Sequence, residues 1–121
     1  MATLTPTLTL ASSDISGTDT LDLSVTDSLS IAGGAINFQV VTSTTGTVFA
    51  AAANYSKSYV FLKNLDTSIV MTIEKADGGD EYMTLGAGEY AFFPWAAAVD
   101  LAVDAASGTP TLEVRIYQAV S

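Results

Sequence analysis

The sequence predicts an all-β fold: a single-domain β-sandwich with an extended N-terminal arm or edge strand. Two patterns carry that expectation. Aliphatic and polar residues alternate with period two along most of the chain, which turns one face of each strand toward a core and the other toward solvent. Clusters of Gly, Pro, Asn, Asp and Ser interrupt the alternation about every ten residues, the spacing of a sandwich or barrel. The 121 residues, 12.5 kDa in all, supply one domain's worth of core and too little for two. With 49% hydrophobic and only 14% charged residues, the composition is the opposite of a disordered chain.

The elements follow in order. Leu4, Leu8 and Leu10 alternate with threonines, and Pro6 has no N–H to give a ladder, so residues 1–13 form an arm or an edge strand. Residues 14–121 are assigned to the sandwich. Leu21, Leu23, Val25, Leu29 and Ile31 alternate with Asp22, Ser24, Thr26, Ser28 and Ser30, with Asp27 at a bulge or a strand start. Ile36, Phe38 and Val40 follow Gly33-Gly34, which predicts a hairpin between these two runs. Tyr59 to Asn64 sets aromatic and aliphatic residues on opposite faces, so both are expected to be covered. A turn cluster, Asn64 to Ser68, precedes a returning strand from Ile69 to Glu74. Beyond the Asp77-Gly78-Gly79-Asp80 turn come Glu81 to Leu85, a Gly86-Ala87-Gly88-Glu89 corner, and Tyr90 to Phe93 closed by Pro94. Val99, Leu101 and Val103, then Leu112, Val114 and Ile116, form the last two alternating runs, separated by Ser107 to Pro110. The alanine-rich stretches Phe49 to Ala53 and Trp95 to Ala98 are too short for independent helices.

Composition excludes several functions. Four Lys/Arg against thirteen Asp/Glu give a net charge of −9, and no base precedes Lys57. Phosphate backbones and anionic membrane surfaces need clustered bases, so neither nucleic acid nor a membrane is an expected partner. Met1 to Leu10 lacks the basic start and apolar run of a secretory signal, and no apolar stretch is long enough to span a bilayer. Without Cys or His the chain has no thiol chemistry, and it lacks the commonest general base and transition-metal ligand. No enzymatic activity and no cofactor are therefore expected. Asp77-Gly78-Gly79-Asp80-Glu81 offers the hard oxygen ligands Ca²⁺ takes, but lacks the regular ligand spacing, and a solvated turn explains it more simply. Asp14, Asp19 and Asp22 form a looser acidic set. Trp95 beside Phe92 and Phe93 suggests either a sugar-stacking platform or an aromatic plug at a strand end.

Two segments, YVFLKN (Tyr59 to Asn64) and LGAGEYAFFPW (Leu85 to Trp95), resemble small β-structured virion proteins of tailed bacteriophages. The resemblance extends over most of the chain after about residue 20. It implies a non-enzymatic virion component, in its sharpest form a jelly-roll capsid-decoration (cement) protein. Such a protein sits as a homotrimer on the capsid surface and clamps the major capsid protein. The alternatives are a tail or baseplate-associated adaptor and a glycan-binding module. Eighteen alanines and only seventeen charged residues leave more apolar surface than a monomer of this size usually shows, which also points to self-association. The expected partner contacts are Leu4, Pro6 and Leu8 on the arm, and Tyr59, Phe61, Tyr90, Phe92 and Trp95 on the body.

Overall fold

The computed structural model describes residues 2–12, 21–33, 35–76 and 80–120. Its body is a sandwich of eight strands: β5 (Ile36–Val41), β6 (Thr47–Ala50), β7 (Ser58–Asn64), β8 (Met71–Lys75), β9 (Glu81–Leu85), β10 (Tyr90–Trp95), β11 (Leu101–Ala105) and β12 (Thr111–Gln118). One sheet has the order β10-β7-β12-β5 and the other β6-β11-β8-β9, and every pairing is antiparallel. Counted from the first sandwich strand, the orders are six-three-eight-one and two-seven-four-five. That is the double Greek key of a jelly roll: the alternation led to the sandwich, and the resemblance implied the jelly roll. The longest strands, β7 and β12, lie side by side at the centre of the first sheet.

The core is the inward half of each alternation. Val60 and Leu62 of β7, Met71 and Ile73 of β8, Leu101 and Val103 of β11, and Leu112, Val114 and Ile116 of β12 are fully buried between the sheets. Phe38, Val40, Met83 and Phe93 close the rim. Among the described residues no α-helix occurs; the alanine run after β6 makes a single 3-10 turn, Ala52–Asn54, whose first N–H is capped by Asp100 Oδ1 at 2.7 Å.

The two segments behind the phage resemblance meet at a buried amide. Asn64, the last residue of β7, is fully buried. Its Nδ2 donates to the carbonyls of Ile69 at 2.8 Å and Leu85 at 2.9 Å, and its Oδ1 accepts the Asp66 N–H at 2.9 Å. Its backbone bonds both Glu89 and Gly88 in the corner between β9 and β10. Asn64 thus latches the end of one sheet to the corner leaving the other. The motifs are architectural.

The N-terminal third departs from expectation. The runs flanking Gly33-Gly34 do not form a hairpin. β1 (Ala2–Leu4) and β2 (Thr7–Ser12) pair instead with β4 (Leu29–Ile31) and β3 (Leu21–Thr26), and β5 crosses to pair with β12. Gly33, at φ 101°, turns the chain from the ribbon into the sandwich. Both ribbon pairings keep one register, Ala2 opposite Ile31 through Ser12 opposite Leu21, interrupted only where Pro6 faces Asp27. No residue is inserted, so Asp27 is not a bulge; the ladder lapses because proline has no N–H, while its carbonyl accepts the Asp27 N–H at 3.1 Å. The described residues 2–12 and 21–31 thus form a two-stranded ribbon beside the sandwich, with the expected arm or edge strand as one of its strands. Its root is fixed where Ile31 bridges Ala119, next to bonds from Ala32 to Gln118 and from Val120 to Ser30.

Candidate functional site: an aliphatic ribbon beside an aromatic sheet face

The constant register sorts the ribbon's residues by chemistry. Opposed positions in an antiparallel ladder share a face, so Leu4 faces Leu29, Leu8 faces Val25 and Leu10 faces Leu23 on one side. Thr3 with Ser30, Thr7 with Thr26 and Thr9 with Ser24 occupy the other. The aliphatic side is buried only at the root. Ile31 is 6% exposed and Leu4 and Leu29 are half-buried, whereas Leu8, Leu10, Leu23 and Val25 are 40–48% exposed.

The second surface is the outer face of the β10-β7-β12-β5 sheet. Alternation turns Tyr59, Phe61 and Lys63 of β7 outward, beside Pro94, Phe92 and Tyr90 of β10 in register. The rings form two diagonal pairs, Tyr59 with Phe92 at 6.4 Å and Phe61 with Tyr90 at 6.1 Å, both nearly parallel. Tyr117 and Arg115 of β12 extend the row on the other side of β7. Tyr90 is 63% exposed. Lys57 lies over the Tyr59 ring at 5.8 Å, and the Arg115 guanidinium holds Glu113 at 2.8 Å, a contact that raises its already high pKa. Three of the chain's four bases therefore stand on this one face.

The two surfaces meet at the ribbon root. Pro6, Leu8, Val25, Leu29 and the acid Asp27 on one wall, and Tyr59, Phe92 and Pro94 on the other, enclose an open, mostly apolar cleft of about 330 Å³. The structure thus brings together Pro6, Leu8, Tyr59 and Phe92, places Leu4 on the same ribbon face, and sets Phe61 and Tyr90 further along the same row. Trp95 is the exception. It points into the core at 6% exposure, donates its indole N–H to the Val99 carbonyl at 3.2 Å, and packs against Tyr55. It is a plug, and only an edge reaches the groove of about 270 Å³ beside Tyr82 and Met83. Leu10, Leu23, Val25 and Leu29, expected as strand residues, join this face without having been among the expected contacts. Their signal was the mirrored alternation on either side of residues 13–20.

Acidic groups gather elsewhere. On the second sheet Glu74 has its pKa raised, by partial burial first and by the carboxylates of Asp104 and Glu81 next. Asp66 is lowered, because the Ser68 and Ile69 N–H groups donate to its carboxylate. Among the described residues no group of three or more acids is arranged to hold a metal ion, and residues 77–79 of the acidic turn lie outside them. No helix among the described residues is long and apolar enough to cross a membrane.

No protein-family model and no curated protein matches the chain. Among solved structures, it is similar to a pilus subunit of Bacillus endospore appendages, described as disulfide-linked pili: 14% identity over 77% of this chain and 91% of that one, with a TM-score of 0.49. It is also similar to a carbohydrate-binding module of Cellvibrio mixtus lichenase 5A, solved with cellotriose: 13% identity over 94% and 88% of the two chains, with a TM-score of 0.37.

Proposed function

We propose that the chain is a non-enzymatic structural subunit of a particle surface, a capsid-decoration protein of a tailed bacteriophage that clamps neighbouring major capsid subunits. The observation that carries this reading is the segregated ribbon: an aliphatic face open to solvent, backed by Thr and Ser, standing off an eight-stranded body. Exposed contiguous apolar surface of that kind is a contact surface. The resemblance of the Tyr59–Asn64 and Leu85–Trp95 segments supplies the particle. Jelly rolls serve capsids and lectins alike, so the fold by itself chooses neither. Immunogold electron microscopy tests the proposal on virions released from cells whose genome encodes the chain. Gold on heads is the expected result, gold on tails moves the protein to an adaptor role, and unlabelled virions refute both.

The two stacked aromatic pairs favour one second reading, a glycan-binding face. Exposed Tyr and Phe rings flanked by Arg115, Glu113 and Gln39 could stack a sugar and bond its hydroxyls. Calorimetric titration with soluble oligosaccharides checks it: heat that disappears in Tyr59→Ala supports a glycan site, and no heat at millimolar sugar removes it.

A further inference from the structure

We infer that the ribbon's partner is a second copy of this chain, each copy laying its aliphatic face across the aromatic outer face of the other's β10-β7-β12-β5 sheet. This rests on reading the ribbon as an attachment element, and makes what it grips a second copy seated on the neighbouring capsid subunit, so that the clamp closes between copies. Both surfaces are apolar, and both are open at once in the single chain: Leu10 is 42% and Tyr90 63% exposed. Leu8 and Val25 face the chain's own Tyr59 and Phe92 across the cleft, and Leu10 and Leu23, further along the ribbon, are not part of its lining.

Charge selects the pairing. Residues 2–12 and 21–31, which make up the ribbon, carry two acids, Asp22 and Asp27, and no base. The outer sheet face carries Lys57, Lys63 and Arg115 against one acid, Glu113. In a chain of net charge −9 this is where an acidic ribbon from another copy is attracted. A ribbon stacked on a ribbon would set like charges together.

Area selects the reciprocal arrangement. Six paired positions at about 3.4 Å each, two strands wide, give a footprint of about 20 by 10 Å, or about 200 Å². A stable interface buries about 800 Å² per partner, so one ribbon contact is far too small. In a two-fold pair each copy contributes a ribbon and a face. That doubles the contact to about 400 Å² per partner, still below the standard size, so the pair is weak and reversible. A three-membered ring has one ribbon contact per interface and lacks that gain.

The chain has no cysteine, so introduced ones report cleanly. Leu10→Cys and Tyr90→Cys, prepared separately, mixed and treated with a short bis-maleimide, should give a covalent heterodimer. Sedimentation equilibrium should show reversible dimers, weakened about a hundredfold in Leu10→Ser/Leu23→Ser and again in Tyr90→Ser/Phe92→Ser. Lys57→Glu/Lys63→Glu should weaken them about tenfold. All these positions are solvent-exposed or half-buried, and unchanged circular dichroism and Trp95 emission confirm folding. Cross-linking of L10C to itself but not to Y90C overturns the pairing in favour of ribbon on ribbon. Intramolecular cross-linking of the L10C/Y90C double variant, with monomers throughout, overturns it in favour of closure onto its own sheet. Monomers without any cross-link overturn it too. Labelled virions together with monomeric protein would refute self-pairing while the attachment reading stands; dimers with unlabelled virions would do the reverse.

Discussion

Replacing Asn64 by alanine is the sharpest perturbation the fold offers. The side chain is fully buried and makes three hydrogen bonds, two donated and one accepted. Each is worth about 1 kcal/mol net, and the stranded partners raise the cost, so Asn64→Ala should lose about 3–4 kcal/mol. A domain of this length has about 6–18 kcal/mol to lose. At about 4 °C per kcal/mol, the melting temperature should fall by about 12–16 °C. Urea unfolding followed by the emission of Trp95, the chain's one tryptophan, reads the midpoint directly. Asn64→Asp sharpens the argument. It keeps the acceptor for the Asp66 N–H but turns a carboxylate toward the Ile69 and Leu85 carbonyls. A buried carboxylate facing two carbonyls binds its proton more tightly folded than unfolded, so stability should fall as pH rises through the carboxylate range. At neutral pH Asn64→Asp should be less stable than Asn64→Ala, and in acid the gap should narrow. An Asn64→Ala midpoint within about 0.5 kcal/mol of the parent would refute the latch.

Further outcomes attach to single sites. Glu74 has its folded pKa raised above 4.5 by burial and by Asp104 and Glu81, so its ionisation costs stability as pH rises through that window. Glu74→Gln should melt above the parent at pH 7, with the difference closing below about pH 4.5, as calorimetry across pH will show. Gly88 sits at φ 76° with open space where a Cβ would stand, so Gly88→Ala costs only backbone strain, about 1 kcal/mol by urea midpoint, and Gly88→Asn less. Buried Thr42 donates to the Val103 carbonyl at 2.9 Å, joining the loop after β5 to β11; Thr42→Val keeps the shape and should cost about 1–2 kcal/mol in the same assay.

The sandwich strands were legible because each writes its own burial. β7, β8 and β12 alternate along their inward positions, and the β8–β9 pairing formed where the Asp77 to Asp80 turn predicted it. The ribbon was not legible, because its partner strand is chosen by matching two distant alternations rather than by the nearest turn. Gly33-Gly34 looked like a hairpin turn, yet Phe38 and Val40 gain more by facing the core from β5 than by facing Leu29 and Ile31 across a two-residue turn. The aromatic residues divided on parity alone. Phe92 and Tyr90 fall on the outward phase of β10, and Trp95 falls on the inward one. One residue of phase separates an exposed ring from a core plug.

The ribbon's root has a mechanical consequence. A pull on its tip does not load the sandwich ladders along their length. It meets first the short row of bonds at Ile31, Ala32 and Val120, which are few and give way before the long ladders do. Once they part, the link between β4 and β5 straightens and gives about 3.4 Å per residue before β5 feels tension. Under load the ribbon yields at its root while the sandwich stays folded, and the bonds re-form when the strain passes.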